Sequence, residues 1–373
     1  MIMNIFLTTA LLAAPPEAET PSSPSSVEEQ RAGIVKKGLT FLRDKGQDAN
    51  GAISPRVGSG VTSLAITAGL RNGLKLNDPL IARGLEYLES KIQTDGGIYT
   101  SDRLRNYETC VAIMALAEAN RVAGDGRYDT ALKNAERFVR GLQIGAGDGI
   151  DKADPHFGGV GYSGKERPDL SNTAFLIEAL HAVDTPSNDV ALQRALLFVS
   201  RCQNLEGEGN DTQFADKVND GGFYYVIPTE KVDPSTSERY TPNGGLRSYG
   251  SMTYAGFKSL VYSGLTKDDP RAKAALKWIS QHYSVSKNPG QGLAGLFYYY
   301  NTLGSALEAS GLDVITTPDG EQTWRADLVQ QLAQSQHPDG SWVNENQQWF
   351  ENDPRLCTAF ALLSLAHAKG ESK

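Results

Sequence analysis

Apolar and polar positions recur along the chain as two alternating kinds of helical segment. The first kind is amphipathic. It carries an aromatic or long side chain followed by an aliphatic one, at Phe41-Leu42, Tyr87-Leu88, Phe138-Val139, Phe198-Val199, Trp278-Ile279 and Gln331-Leu332, with Lys, Arg and Glu on the other face. The second kind is poor in charge, as in Cys110-Val-Ala-Ile-Met-Ala-Leu116 and Ala359-Phe-Ala-Leu-Leu-Ser-Leu365. Aligned on Leu70, Leu116, Leu180, Leu260, Leu307 and Leu365, these second segments share a column seven residues upstream: Ser63, Thr109, Thr173, Thr253, Tyr300 and Thr358. Seven residues is two helical turns, so both ends of that column lie on one helix face.

A turn joins the two kinds. Gln47, Gln93, Gln143, Gln203 and Gln336 follow the first segment, with Tyr283 in their place in unit five. Glycine follows at Gly51, Gly97, Gly159, Gly221-Gly222, Gly295 and Gly340, where a tight turn needs a positive φ. Tyr99 and Trp342, two residues beyond their glycines, are placed to plug the seam between hairpins. Apolar helices demand burial and amphipathic ones a wet outer surface. The pattern therefore predicts an all-α fold, an α6/α6 toroid of six helical hairpins with the second helices inside. Residues 27–373 then form one domain of six units of roughly 58 residues, enough for two helices, a turn and an insertion. The longest insertions, Ile144–Phe157, Asn204–Asn219 and Val226–Ser248, fall between first and second helix, emerge at one rim, and read as lids because aromatic residues flank them.

Composition narrows the function. The 373 residues carry 36 Lys+Arg against 44 Asp+Glu, a net charge of -8, with no basic block to hold a phosphate backbone, so nucleic acid is excluded as a partner. Three dispersed cysteines, Cys110, Cys202 and Cys357, make neither a disulfide framework nor a metal clip, and the five histidines have no metal spacing. No metal and no cofactor is expected. The apolar run Ile5–Ala14 has the length of a signal-peptide core and Pro15–Ser26 reads as a linker, which assigns residues 1–26 to export, periplasmic or extracellular. A closed ring of this kind is expected to act as a monomer.

The repeat resembles that of the terpene cyclase and prenyltransferase superfamily, in particular its squalene-hopene cyclase branch with the prenyltransferase and squalene oxidase repeats: a basic residue, a small one, an aromatic, an aliphatic, then Q-x-x-x-G-x-W. Unit two carries Arg83, Gly84, Tyr87, Leu88, Gln93, Gly97 and Tyr99, one residue longer before the Gln; unit six carries Leu332, Gln336, Gly340 and Trp342. The resemblance implies a toroid with a central apolar cavity opening where the inner helices start, and an apolar or isoprenoid-like small molecule as ligand, drawn through peripheral membrane contact. The cyclases' D-x-D-D-T-A motif falls on Asp169-Leu-Ser-Asn-Thr-Ala174, so Ser171 stands where they have the proton donor and Asn172 where they have the next acid. A hydroxyl cannot replace a carboxylic acid in protonating an alkene. Of the prenyltransferases' zinc ligands only Cys357 has a counterpart, beside Tyr299 one unit earlier.

Glu108, preceded by Tyr107, is the acid immediately before the aligned column; it and Asp169 are the two candidate catalytic residues, each also a candidate for serving its helix start. Candidate ligand contacts are Tyr107, Ser171, Asn172, Tyr249, Tyr254, Tyr298, Tyr299, Arg355 and Cys357. Of the triplet Tyr298-Tyr299-Tyr300, no more than two rings can face the lumen, since successive helical residues point about 100° apart. Arg355 either holds an anionic head group at the cavity mouth or pairs with a neighbouring loop. Three functions are compatible: a cyclase-like toroid holding an apolar molecule, a non-catalytic scaffold or protein-binding toroid whose lumen is filled by its own side chains, and a sugar-active barrel, which needs two carboxylates facing each other across the lumen. Cyclisation of squalene by the family's protonation route is not expected.

Overall fold

A computed structural model describes residues 24–207, 209–229, 235 and 237–370. The expected signal-peptide core and part of the linker lie outside these residues, as does part of the third insertion. Six helices form an inner barrel: α2 (Gly60–Arg71), α4 (Arg105–Ala123), α6 (Leu170–Ala182), α8 (Gly250–Tyr262), α10 (Leu296–Ala309) and α12 (Pro354–His367). Each packs on the next, and α12 closes back on α2. The partners α1 (Pro24–Phe41), α3 (Pro79–Glu89), α5 (Asp129–Leu142), α7 (Val190–Arg201), α9 (Pro270–His282) and α11 (Trp324–Ser335) form the outer layer. A short hairpin of β1 (Ile315–Thr317) and β2 (Gly320–Gln322) joins α10 to α11. The fold is the all-α toroid of six hairpins that the two helix types predict.

The repeated polar residues explain how the ring closes. Gln47, Gln143, Gln203 and Gln336 each donate from Nε2 twice: to the carbonyl of their own turn glycine and to a carbonyl of the next outer helix, at Leu80, Ala191, Arg271 and Ile34 respectively. The last of these joins unit six to unit one. Unit two has its extra residue here, and Gln93 bonds within its own turn, to Lys91 and Tyr99. Unit five does the same job with a phenol, Tyr283 donating to Asp327 on α11 at 2.8 Å. At the turn glycines Gly51, Gly96, Gly158, Gly221 and Gly340 φ is positive and a Cβ would run into a main-chain carbonyl of the following outer helix, whereas at Gly295 of unit five, also with positive φ, it would meet the Trp349 ring. In units two and three the strained position is thus one residue before the Gly97 and Gly159 expected from the spacing.

The threonine column has a shared role as well. The hydroxyls of Thr109, Thr173, Thr253 and Thr358 accept from the N–H of Ile98, Val160, Phe223 and Trp342, tying each inner helix to its own turn. In unit one that bond, from Ile53 at 2.8 Å, goes to Thr62, so the structural equivalent is one residue before Ser63. Unit five has Tyr300 instead, whose longer side chain donates to the Val285 carbonyl. Trp342 fills the seam against Gly38 of α1, and Tyr99 stacks on Phe138 at 5.6 Å, as their positions after the glycines anticipate.

The insertions are fastened to one another. Arg201, almost wholly buried, pairs with Asp211 at 2.7 Å and donates to the Lys152 and Asp154 carbonyls. His156 lies 2.9 Å from the Ile227 carbonyl. These contacts hold the described parts of the unit-three and unit-four insertions beside the mouth of the barrel.

Candidate functional site

The N-terminal ends of the inner helices form the mouth, and aromatic rings from four of them meet there. Centroids run from Tyr162, on the loop before α6, to Tyr107 of α4 at 6.1 Å, to Phe175 of α6 at 5.1 Å, to Tyr298 of α10 at 6.1 Å and to Phe360 of α12 at 5.9 Å. The Ser171 and Tyr298 hydroxyls are 3.0 Å apart. Because α8 lies between α6 and α10 in the ring, that hydrogen bond crosses the lumen. Burial pushes the hydroxyls of Tyr107, Tyr249 and Tyr298 well above the usual phenol range, so each remains a hydrogen-bond donor.

The tyrosine triplet divides as helical geometry requires. Tyr298 faces the lumen and keeps some exposure. Tyr299 and Tyr300 point outward into the layer between the helices, bonding the Ser284 and Val285 carbonyls beyond α9. Tyr254 goes with them, edge-on to Tyr299 at 5.7 Å. Tyr249 stands at the start of α8, half-buried.

Asp169 caps α6, accepting from the Asn172 N–H and from Asn172 Nδ2, both at 2.8 Å. Burial raises its carboxyl to about 6, and Asn172 and the Tyr225 hydroxyl beside it oppose that rise. Asn172 Oδ1 and, on the neighbouring helix start, Asn106 Nδ2 are buried without a hydrogen-bond partner among the described residues.

Glu108 is fully buried and ties units one and two together. It accepts from the Ser59 N–H and hydroxyl at 3.1 and 2.5 Å and from the Thr100 N–H and hydroxyl at 2.8 and 2.9 Å. Gly58 makes room, since a Cβ there would strike the carboxylate. Cys357 is buried with its thiol raised by desolvation, and it donates to the Glu351 carbonyl at 2.9 Å. Arg355 lies 3.7 Å from Asp48 on the unit-one turn, which is the loop pairing rather than a free cation.

Two groups at this end escape pattern reading. Glu351 is almost wholly buried and accepts from the Phe297 and Tyr298 N–H groups at 3.2 and 2.9 Å, doing from another loop what a side-chain cap would do for α10. Burial raises its carboxyl and those N–H groups, with Asn344, pull it back. Next to it, Trp349 and Phe350 both adopt left-handed backbone, with φ of 54° and 64°, and are 51% and 62% exposed. Their sequence signal is weak, because acid-then-helix spacing identifies a cap only on its own helix.

The opposite end of the barrel is ionic. Lys258 of α8, fully buried, donates to Glu178 of α6 at 2.6 Å and to Ser305 of α10 at 3.0 Å. His367 of α12 meets Glu308 of α10 at 2.6 Å, and Arg71 of α2 lies 3.7 Å from Glu118 of α4. All six inner helices contribute. Among the described residues there is no group of His, Cys, Asp and Glu arranged to hold a metal ion, and no helix long and apolar enough to cross a membrane.

No family model matches the chain, and no curated protein matches it. Solved structures do. The type II terpene cyclase MstE from Scytonema, in complex with geranylgeranyl dihydroxybenzoate, aligns at TM-score 0.54 and 14% identity over 93% of this chain and 99% of that one. An alpha-amylase from Clostridium perfringens aligns at 0.56 and 13% identity, covering 91% and 98%. A D-mannose isomerase aligns at 0.55 and 13%, covering 93% and 99%. The chain thus has a six-hairpin all-α fold that it shares distantly with several different enzyme superfamilies, terpene cyclases among them.

Proposed function

We propose that the toroid binds an apolar, isoprenoid- or lipid-like molecule at its inner-helix mouth. The observation that carries this reading is the belt of Tyr107, Phe175, Tyr298 and Phe360, drawn from four different inner helices and left partly exposed at Tyr107 and Tyr298. Such rings offer a large apolar face with few, fixed polar points, here the Ser171 and Tyr298 hydroxyls. One observation favours an apolar ligand over a sugar: the acids of this mouth, Glu108, Glu351 and Asp169, are each bound to helix starts or turns. They do not present the facing carboxylates of a glycoside hydrolase.

A scaffold is the second reading, and a specific observation favours it. The rings pack on one another and the Ser171–Tyr298 bond spans the lumen, which is how a self-filled core behaves. Mass spectrometry of lipid that co-purifies with residues 27–373, followed by assays of squalene and prenyl diphosphate turnover, separates the readings. Bound, unchanged lipid that is lost in Tyr298→Ala supports the binding reading; protein that stays empty when offered squalene and geranylgeraniol overturns it. No cyclised triterpene is expected. If it forms, loss in Glu108→Gln assigns Glu108 as the acid, and loss only in Asp169→Asn assigns Asp169.

A further inference from the structure

A second concavity opens on the same rim, outside the aromatic belt. Where the loop before α4 meets the end of α5 and the segment leading to α6, Arg103, Arg105, Ser163 and Lys165, together with Asp102 and Glu166, line a depression of about 650 Å³. Lys165 is already paired with Asp148. Among the described residues neither Arg103 nor Arg105 has a carboxylate within 4.0 Å. Arg105 is held in place all the same: its Nε donates to the Ser163 carbonyl at 2.6 Å, which fixes the stem and leaves both terminal nitrogens free to donate. A fixed guanidinium with two open N–H edges fits the paired oxygens of a phosphate or carboxylate.

This depression adjoins the mouth. The Asn106 N–H donates to the Tyr162 carbonyl at 3.0 Å, so the chain at 162–163 is the shared wall. On one side of that wall Ser163 faces the arginines; on the other the Tyr162 ring, 38% exposed, leads to Tyr107.

We propose that the depression is a head-group subsite and that the ligand is an anionic amphiphile: a phosphate or carboxylate head held by Arg103 and Arg105, with its apolar tail passing over Tyr162 into the aromatic mouth. The tail's placement rests on the binding function proposed above; the anion site stands on the arginines alone. Arg355, the cation that sequence spacing puts at the mouth, is taken by Asp48, so the head-group task falls to unit two.

The test is calorimetric titration of the full chain, at fixed ionic strength and below micellar concentrations, with dodecyl phosphate, dodecanoate and dodecanol. Dodecyl phosphate or dodecanoate should bind at least about tenfold more tightly than dodecanol, the size of one charge-assisted contact. Arg103→Gln should remove most of that advantage while leaving dodecanol binding and Tm unchanged, Arg105→Gln should remove most of it too, and Tyr162→Ala should weaken all three. Arg103→Gln is the stricter probe, because Arg105 also tethers the Ser163 loop. Equal binding of dodecanol and both anions, or anion binding untouched by Arg103→Gln, overturns the subsite and leaves the apolar mouth standing. Arginine-dependent binding of the anions with no binding of dodecanol keeps the subsite and overturns the mouth.

Discussion

The two ends of the inner barrel are built from the same six helices and have opposite chemistry. At the N-terminal ends, aromatic rings from α4, α6, α10 and α12 meet with a few hydroxyls between them. At the C-terminal ends, Lys258–Glu178, His367–Glu308 and Arg71–Glu118 join the inner helices in three neighbouring pairs, α8 with α6, α12 with α10 and α2 with α4. The difference follows from what each set of contacts costs to open. Ring–ring contacts are non-directional and can be exchanged for contacts with an apolar guest at little cost. A buried ammonium such as Lys258 cannot lose its partners without a large desolvation penalty. On the binding function proposed above, one end therefore suits entry of a ligand and the other suits sealing the ring.

The largest effect that can break this comparison is at the sealed end. Lys258→Met should lower stability by about 3 kcal/mol, because it leaves Glu178 without its partner, whereas an aliphatic swap at a merely packed site costs less. Chemical denaturation checks it, and a variant as stable as the parent means that the ionic end is not a fastening.

The next effect is a contrast of sign in pH dependence. Asp169, raised from 3.8 to about 6, holds a proton in the folded state that the unfolded chain has already lost, so its burial penalty grows as pH rises from about 4 and is complete above about 6. His367 at the other end is lowered from 6.5 by desolvation, so on acidification the unfolded chain takes up the proton first and stability falls as pH drops below 6.5. Glu308, lowered from 4.5 although desolvation opposes the pull of His367, adds a loss in the same direction at lower pH. Asp169→Asn should therefore gain on the parent by on the order of 2–3 kcal/mol between pH 4 and pH 7. A stability difference that does not change with pH would contradict the neutral-acid environment at the mouth.

Smaller still is the cross-lumen bond. Tyr298→Phe keeps the ring and removes the hydroxyl that meets Ser171, and should cost about 1 kcal/mol in stability with little change in affinity for a purely apolar ligand. Loss of ligand binding in that variant, read by the same titrations, would make the hydroxyl rather than the ring the contact that matters. The smallest change should be a gain: Phe350→Gly relieves a left-handed backbone at an exposed position, partly offset by the added freedom of the unfolded chain, and should stabilise by about 0.5 kcal/mol, seen as a raised Tm.

Much of the ring is legible from local pattern because its determinants repeat. The Gln and Gly of four units make the same bonds, and so do the column Thr residues of four units, so a sixfold repeat exposes them even where one copy slips, as at Thr62 for Ser63. The individual roles of Asp169 as a cap and Arg355 as a loop partner were also among the readings the residues allowed. Glu351 and the Arg103–Arg105 depression were not, because each depends on loops from different units meeting: Glu351 caps a helix that starts 55 residues before it, and Ser163 reaches Arg105 across 58 residues.

What the sequence determined by itself is the number of hairpins, the sorting of apolar helices inward and amphipathic ones outward, and the turn chemistry, since all three follow from burial and backbone constraints that act within a few turns. Only the tertiary structure decided which way each lumen candidate faces, that Tyr298 turns inward while Tyr299 and Tyr300 turn away, that Glu108 is enclosed by donors from two units, and that the ion pairs between inner helices collect at one end. The reason is that side-chain environment inside a closed ring is set by the neighbours that closure brings together, and no local pattern carries that information.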